Sequence, residues 1–291
     1  MCDIFNLDCE SYLKENASKQ FDLTFLDPPF NQNKNYSSHD DNMNPADYWD
    51  WMGKICSLIY KHTSDGGAIY FMQREKNAQF VLESLNSAGW TFQNLVIWKK
   101  KTSAVPCNNR FGKHYQIIVY ATKGNKAKVF NKLRIDPPLL VTEKHNRPNG
   151  IYVTDVWNDI RELTSGYFAG NEPLRSMNNE RIHKQQSPLQ LLIRIILSSS
   201  NIDDLIFDPF AGTGTTLVVA KQLKRNSIGI EIDPVYYSFI KNRLIKKRKA
   251  DDITKYRENY FHTENLDGIW PMFMGNNNIC RQIKITNEYY S

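Results

Sequence analysis

Short apolar runs bounded by polar or turn-forming residues recur along the chain, separated by longer stretches with apolar positions three or four apart. The runs are Phe21–Leu26, Gly67–Met72, Leu95–Trp98, Gln116–Ala121, Leu205–Phe207 and Ser227–Ile232. Their near-continuous hydrophobicity predicts buried parallel strands. The intervening stretches predict helices over Asp47–His62, Lys76–Ala88, Pro188–Ser198, Thr215–Leu223 and Pro234–Lys247. Strands alternating with helices of this length predict an α/β fold on a mostly parallel, twisted sheet flanked by helices.

Two regions depart from the alternation. Residues 122–182 are rich in Asn, Lys, Pro and Gly, with isolated aromatics and no sustained period. They read as an insertion of loops and short elements, the usual place for specificity on a rigid scaffold. Residues 1–121 and 183–250 then form two parts of one domain, and 251–291 form a polar, aromatic extension without clear periodicity.

Composition narrows the class. The chain has 291 residues, 41% of them hydrophobic, enough for a sizeable core. Six Trp, 15 Tyr and 15 Phe exclude a disordered chain. No apolar run approaches the roughly 18–20 residues needed to span a bilayer. The opening Met-Cys-Asp-Ile-Phe has neither a basic nor an apolar targeting region, so the chain is expected to be soluble and intracellular. Cys2, Cys9, Cys56, Cys107 and Cys280 are scattered and include no C-x-x-C pair, so they are expected to be reduced packing thiols, with no structural metal.

Charge adds a hint about partners. Lys and Arg exceed Asp and Glu by 37 to 31, a net +6, which suits a polyanionic partner. Lys241, Arg243, Lys246, Lys247, Arg248 and Lys249 form one basic cluster and Lys99–Lys101 another. For any single run the plain reading is a solvated helix face or loop end.

Two motifs carry chemistry. In the first, the apolar run from Leu205 leads into Asp208-Pro209-Phe210-Ala211-Gly212-Thr213-Gly214-Thr215-Thr216. Glycines between a strand and a helix start let a ligand approach the backbone, where free N–H groups favour anionic groups. The spacing lacks the third glycine of the dinucleotide fingerprint and the lysine of a P-loop. The next strand ends in Gly229-Ile230-Glu231-Ile232-Asp233, with Glu231 about 20 residues beyond the glycines, where an acidic residue accepts from ribose hydroxyls. Asp208, the glycines and Glu231 together point to an adenosine-type cofactor.

The second motif is Asp27-Pro28-Pro29-Phe30, also at the end of an apolar run. Two prolines stiffen the backbone and remove N–H donors, leaving carbonyls directed outward. Asp27 and the Pro28 carbonyl suit the exocyclic amine of a planar base, and Phe30 suits its ring. A plain Pro-Pro turn is the alternative. Asp136-Pro137-Pro138-Leu139 follows no apolar strand and has no aromatic, so it reads as a loop.

These residues carry a resemblance. D-P-P-F before D-P-F-A-G-T-G-T-T resembles the DNA amino-methyltransferases that use S-adenosylmethionine, in the motif order of the beta class associated with restriction–modification systems. Trp98-Lys99-Lys100 and Gly112-Lys113-His114-Tyr115 resemble the family's W-x-K and following segment, and Asp155-Val156-Trp157 its D-V-W. His183-Lys184-Gln185-Gln186-Ser187-Pro188 resembles its H-P-T-Q-K-P, with Ser187 where the family usually has Lys. The resemblance covers about residues 3–247. It implies a Rossmann-like methyltransferase fold with circularly permuted motifs and an inserted target-recognition region.

The resemblance also implies roles. Asp27 would bind the target amine and line the cofactor site, within a catalytic Asp27, Pro28, Pro29 and Phe30. Asp208, Phe210, Gly212 and Gly214 would hold the methionine part of the cofactor and Glu231 its ribose, with Pro209, Thr215, Thr216, Ile232 and Asp233 in the same cofactor-binding set. Asp8, with Cys9 beside it, matches the G-D-C segment that reads adenine, although Asn6-Leu7 precedes it without the glycine; Gln186 joins the cofactor set. Lys99, Lys101, Arg110 and Lys113 are candidate DNA contacts.

An amine conjugated to the ring is a poor nucleophile. Accepting its protons frees the lone pair for attack on a sulfonium methyl, with positioning and preorganised dipoles supplying the rate. The base must leave the duplex to be reached. A motif that begins with Asp favours adenine N6 over cytosine N4, since N4 members more often begin with Ser. RNA and protein-glutamine methyltransferases usually place the cofactor glycines first, a non-catalytic DNA-binding subunit would have no need of these residues, and a dehydrogenase needs another glycine pattern. Pro106-Cys107 lies in an Asn-rich loop and reads as no nucleophile. The resemblance implies double-stranded DNA as partner, a homodimer by analogy, and a cytoplasmic place in a bacterium or archaeon. It leaves a cognate restriction endonuclease open.

Overall fold

The computed structural model describes residues 1–32, 35–36, 39–102, 107–137, 147–163, 170–175, 178–183 and 185–271. Pro106, Pro138, Leu139, Lys184 and Cys280 lie outside the described residues. The elements in chain order are β1 (Cys2–Phe5), α1 (Cys9–Glu15), β2 (Phe21–Leu26), β3 (Asn35–Tyr36), β4 (His39–Asp40), α2 (Pro45–Lys61), β5 (Thr63–Gln73), α3 (Ala78–Ser87), β6 (Thr91–Lys99) and β7 (Tyr115–Thr122). They continue with β8 (Arg134–Ile135), β9 (Ile151–Tyr152), β10 (Val156–Trp157), α4 (Leu189–Ser199), β11 (Leu205–Asp208), α5 (Thr215–Gln222), β12 (Asn226–Ile230), α6 (Pro234–Ile245) and α7 (Leu266–Ile269).

Eight strands form one sheet in the order β1-β12-β11-β2-β5-β7-β6-β10. From β1 to β5 every neighbouring pair is parallel, and β6 and β10 are parallel at the far edge. The exception is β7, antiparallel to both β5 and β6. The run Gln116–Ala121, expected to be parallel, therefore runs the other way. Among the described residues no crossover helix separates it from β6, and the two strands pair as the arms of a hairpin.

Strand alternation sorts the core into two layers. Ala68, Tyr70 and Met72 of β5 pack with α4 and α5, while Ile69 and Phe71 pack with α1, α2 and α3. Both faces of the sheet are thus covered, which is why its central strands read as continuous apolar runs. Helix α4 is buried at every position except Gln190, an all-round apolar helix that needs an outer cover. Ile253, Tyr260, Leu266, Ile269 and Trp270 from the C-terminal segment join its core cluster. Arg194 on α4, 1% exposed, is paired with Asp159 and donates to Tyr260 Oη at 3.3 Å.

Helix ends follow local chemistry. Asn44 caps α2 by accepting from the Ala46 N–H at 2.9 Å, with Pro45 in the first turn, so the helix starts two residues before its expected Asp47. Asp8 caps α1 by accepting from the Ser11 N–H at 2.9 Å. The short β1 and α1 were not expected from periodicity, and β5 begins four residues before its expected Gly67. Within 122–182, β10 pairs with β6, placing Trp157 opposite Trp98, so this part of the expected insertion is an edge strand of the main sheet. Among the described residues no helix is long and apolar enough to cross a membrane.

Candidate functional site

The register of β2 and β11 sets the site. Thr24 lies opposite Phe207 on adjacent parallel strands, so the chain leaves both at the same edge, through Asp27 and Asp208. The carboxyl edge of a parallel sheet is where open α/β folds bind ligands.

After β2 the backbone is fastened from two sides. The Tyr48 hydroxyl on α2 donates to the Pro29 carbonyl at 2.7 Å and accepts from Gln73 Nε2 at 3.1 Å. Buried Asp41 accepts from the N–H groups of Asn31 at 2.8 Å and Gln32 at 3.0 Å. Asn31 itself adopts φ +51°, the sharp bend that follows Phe30. Asp27 accepts from the Ser187 hydroxyl at 3.1 Å, so serine reaches the carboxylate at the position where the resembling family usually has lysine.

One cleft lies over the carboxyl ends of β1, β12 and β11. It encloses about 1120 Å³ up to its open mouth, and Asp8, Cys9, Asp27, Pro28, Pro29, Gln186, Asp208–Gly212, Thr215, Thr216 and Glu231–Asp233 border it. Gly214, the remaining candidate, stands just behind, before α5, at φ +73°. Gly212 adopts φ +52°, and a Cβ there would meet nothing nearer than His183 Nε2 at 3.7 Å. That open space leaves the backbone approachable from the cleft. Asp208 is buried, and burial raises its carboxyl to about 6 against hydrogen bonds from the Thr216 hydroxyl and the Phe210 N–H.

Glu231 is held as well as buried. Its carboxylate accepts from the Gly212 N–H at 2.7 Å and the Asp233 N–H at 2.9 Å, which locks the glycine turn to the end of β12. Burial nonetheless pushes its pKa up to about 7. A carboxylate has about four acceptor sites, so these two bonds leave room for hydroxyl donors. Asn6, just beyond β1, donates to the carbonyls of Glu231 at 2.8 Å and Ile232 at 3.0 Å and fixes this turn. Ile232 is 47% exposed at the cleft, an apolar surface for a flat ring.

Several expected ligands have structural work to do. The Asp233 carboxylate caps α6 by accepting from the Val235 N–H at 2.8 Å and the Tyr236 N–H at 3.3 Å. The Gln186 amide accepts from the Leu174 N–H at 2.9 Å and donates to the Glu172 carbonyl at 3.2 Å, holding the 172–174 backbone against the cleft. The Thr215 hydroxyl accepts from Arg243 at 3.2 Å. Cys9 is buried in the wall with its thiol raised by burial to about 12, so it is no nucleophile. Leu7, Trp51 and Tyr236 also line the cleft without any motif marking them, as does His183, the first residue of the segment that resembles H-P-T-Q-K-P. Trp51 stands edge-on to Phe210, with centroids 5.7 Å apart.

A second cavity, about 680 Å³ up to its mouth, lies on the other side of Asp27. Phe30, Met72, Trp98, Lys100, Thr102, Gln116 and Glu162 line it, and Asp27 and Gln185–Ser187 border both cavities. Glu162 carried no signal in the sequence. Its carboxylate accepts from the N–H groups of Lys101 and Thr102, each at 2.9 Å, and from the Thr102 hydroxyl. Burial alone would raise its pKa, but these hydrogen bonds outweigh it and hold the group at about 2.

The basic residues divide. Lys99, Lys101 and Arg110 are exposed on the β6–β7 segment beside the second cavity, whereas Lys113 is paired with Glu75 at 2.7 Å. In the C-terminal cluster, Arg243 and Arg248 both pair with buried Asp251, at 2.7 and 2.6 Å, so these two are structural.

Residues 21–242 match the model of a family described as DNA methylase, of the N6/N4 type. Type II methyltransferase M.HpaI of Haemophilus parainfluenzae is 30% identical over 233 residues, covering 80% of this chain and 70% of that protein. The DNA adenine methyltransferase YhdJ of Escherichia coli is 27% identical over 272 residues, 87% of this chain and 90% of that protein. Among solved structures, an M1.HpyAVI–SAM complex aligns over 84% of this chain and 99% of its own, with a TM-score of 0.56 and 23% identity. The PvuII DNA methyltransferase, cytosine-N4-specific, aligns over 91% of this chain and 93% of its own, with a TM-score of 0.62 and 17% identity. These two likenesses establish the fold.

Proposed function

Since this chain belongs to the DNA methylase family of amino-group methyltransferases, we propose that it transfers a methyl group from S-adenosylmethionine to the N6 amine of adenine in double-stranded DNA. The observation that carries this reading is the meeting of two cavities at Asp27, one bordered by the glycine turn and Glu231, the other by Phe30 and Trp98. A donor and an acceptor lodged on either side would face each other across that carboxylate.

The residues present fit the cofactor. Gly212 offers open backbone, Glu231 retains acceptor capacity toward hydroxyls, Asp8 borders the cleft, and Ile232 offers an apolar surface. S-adenosylmethionine would supply an electrophilic methyl on a sulfonium. The protein's share is position and polarity. Asp27 would accept from the extruded base's amine, localising its lone pair on nitrogen, and Ser187 would hold that carboxylate in place. The amine nitrogen would form a bond to the methyl carbon as the carbon–sulfur bond breaks and leaves a neutral thioether, and it would give up one proton to Asp27 and from there to solvent. Lys99, Lys101 and Arg110, which are exposed, would contact phosphates while the base is out of the stack.

The Asp that opens the second motif and the adenine activity named for YhdJ support N6. Cytosine N4 is the second reading, since the same geometry serves either amine. Incubation with methyl-labelled S-adenosylmethionine and unmethylated duplex DNA, followed by digestion to nucleosides, tests both. Label in N6-methyldeoxyadenosine that is lost in Asp27→Ala is the expected result. Label in N4-methylcytosine would overturn the choice of base, and no label on DNA despite cofactor binding would overturn the reaction.

A further inference from the structure

β6 ends at Lys99, two more lysines follow it, and of the three only Lys100 turns inward. Side chains alternate along a strand, so Trp98 and Lys100 share a face, and Gln116 of β7, paired with Trp98, shares it too. The Lys100 N–H donates to the His114 carbonyl at 2.8 Å, closing the neck of the hairpin. Lys100 Nζ lies 3.2 Å from the centroid of the Trp98 ring and donates to Gln116 Oε1. Trp98 is fixed from behind by donating from Nε1 to the Ile160 carbonyl at 3.0 Å. The ammonium is therefore held in place at the wall of the cavity that contains Asp27 and Phe30.

Its surroundings leave it unneutralised. Among the described residues its hydrogen-bond acceptor is Gln116, and it forms no ion pair. The Glu162 carboxylate is taken up by Lys101 and Thr102 backbone and by the Thr102 hydroxyl. An ammonium has three donors, so one bond to Gln116 leaves capacity for a ligand. Burial lowers the Lys100 pKa to about 7, while Glu162 and Asp27 pull it back upward. A partly buried cation costs free energy to the extent that its surroundings do not compensate it, and an acceptor on a ligand would reduce that cost.

The target base supplies what is missing. Adenine and cytosine share one feature, an amine on a carbon bonded to an unprotonated ring nitrogen. Extrusion from the duplex strips the Watson–Crick partner from both groups. Asp27 replaces the acceptor for the amine, and the ring nitrogen still needs a donor. Of the other polar groups of the cavity, the Thr102 hydroxyl goes to Glu162, the Ser187 hydroxyl to Asp27 and the Gln186 amide to Glu172, and the amides of Gln116 and Gln185 carry no charge to strengthen a hydrogen bond.

We propose that Lys100 reads the extruded base, donating to the ring nitrogen bonded to the amine-bearing carbon while Asp27 accepts from the amine. Gln116 and Trp98 orient the ammonium. Thymine and guanine present the reverse pattern, a carbonyl beside a ring N–H, and would set like against like at both positions. The pair thus selects adenine and cytosine before chemistry. This inference rests on the reading of Asp27 as the residue that receives the target amine.

The test compares wild type, Lys100→Met and Lys100→Gln on duplexes containing the methylated sequence once mapped. The target is adenine, 1-deazaadenine (ring nitrogen replaced by C–H) or 7-deazaadenine; if the product is N4-methylcytosine, 3-deazacytosine takes the place of 1-deazaadenine. Lys100→Met is expected to lower kcat/KM about 10–100-fold, the range for a charge-assisted hydrogen bond, with unchanged cofactor affinity by titration. Wild type is expected to lose a similar factor on the 1-deaza target, and Lys100→Met to lose nothing further. Lys100→Gln, which keeps a donor, should recover part of the activity. A deaza penalty that persists in Lys100→Met, its absence from wild type, or a penalty confined to the 7-deaza target would overturn the assignment. Failure of wild type to methylate any DNA would instead overturn the reading on which the inference rests.

Discussion

The glycine turn offers a test in which two nearby positions should respond differently. Gly214 adopts φ +73°, and a Cβ built there would lie 2.8 Å from Ile240 Cγ2 and 3.0 Å from Ile240 Cγ1 on α6. Gly212 adopts φ +52° with its nearest neighbour at 3.7 Å. An L-residue in the left-handed region costs about 1–2 kcal/mol, and overpacking a tight interior adds about 1–3 kcal/mol. Gly214→Ala should therefore destabilise by about 2–5 kcal/mol, whereas Gly212→Ala pays only the conformational part of about 1–2 kcal/mol. Urea denaturation at fixed pH measures both. The collision partner can then be removed. Ile240→Ala alone should cost about 2–5 kcal/mol, but the double variant Gly214→Ala with Ile240→Ala should cost at least about 1 kcal/mol less than the sum. Cofactor titration supplies the opposite ranking, because the methyl of Gly212→Ala projects toward the cleft beside His183 while that of Gly214→Ala points into α6. Equal stabilities for the two single variants, or strict additivity with Ile240→Ala, would refute the packing argument.

Two further outcomes are expected. Tyr48→Phe should cost about 1–3 kcal/mol by orphaning the buried Pro29 carbonyl and Gln73 amide; it should also lower turnover without changing cofactor affinity, and an unchanged kcat would count against Tyr48 as the fastening of the Asp27 turn. Burial raises Glu231 from 4.5 to about 7, so the folded protein holds more protons than the unfolded chain between those values. Stability from this group is complete below pH 4.5 and is lost as pH rises through about 7. Urea midpoints at pH 5 and pH 8 should therefore move in favour of Glu231→Gln relative to wild type at the higher pH, and a parallel shift of the two proteins would refute it.

What could be read in the sequence followed the physics of each signal. Central strands buried on both faces, such as Phe21–Leu26, announce themselves as apolar runs, and helices such as α2 by their spacing. The β1 strand is four residues long and partly exposed, so it lacks either mark and is stabilised by pairing with β12. The antiparallel course of β7 is a property of its connection to β6, invisible in Gln116–Ala121 itself. Asp233 was legible as an acidic residue after a strand, but whether such a residue meets a ligand or caps the next helix depends on the backbone N–H groups in front of it. Lys100 was marked only as the lysine of a W-x-K segment, and its inward turn depends on strand phase and on Gln116 opposite. Glu162 lies in a stretch without periodicity, so only the fold brings it to Thr102.

Sheet order explains how motifs far apart in the chain become one site. The residues from β11 to β12 insert between β1 and β2, so the later half of the chain fills the middle of the sheet begun by the earlier half. Because β2 and β11 are parallel neighbours, Asp27 and Asp208 must leave the sheet at the same edge whichever comes first in sequence. The two carboxylates nonetheless live in different surroundings. Asp208 is buried at the border of the cofactor cleft, where burial raises its pKa and its bonds to Thr216 and Phe210 shape the loop. Asp27 stands at the wall shared by two cavities, with a serine on one oxygen and a lysine within its field. Register alone places both residues at the edge. The division between a carboxylate that builds the loop and one that faces a substrate comes from what surrounds each, the hydrogen bonds of the loop in one case and the two cavities in the other.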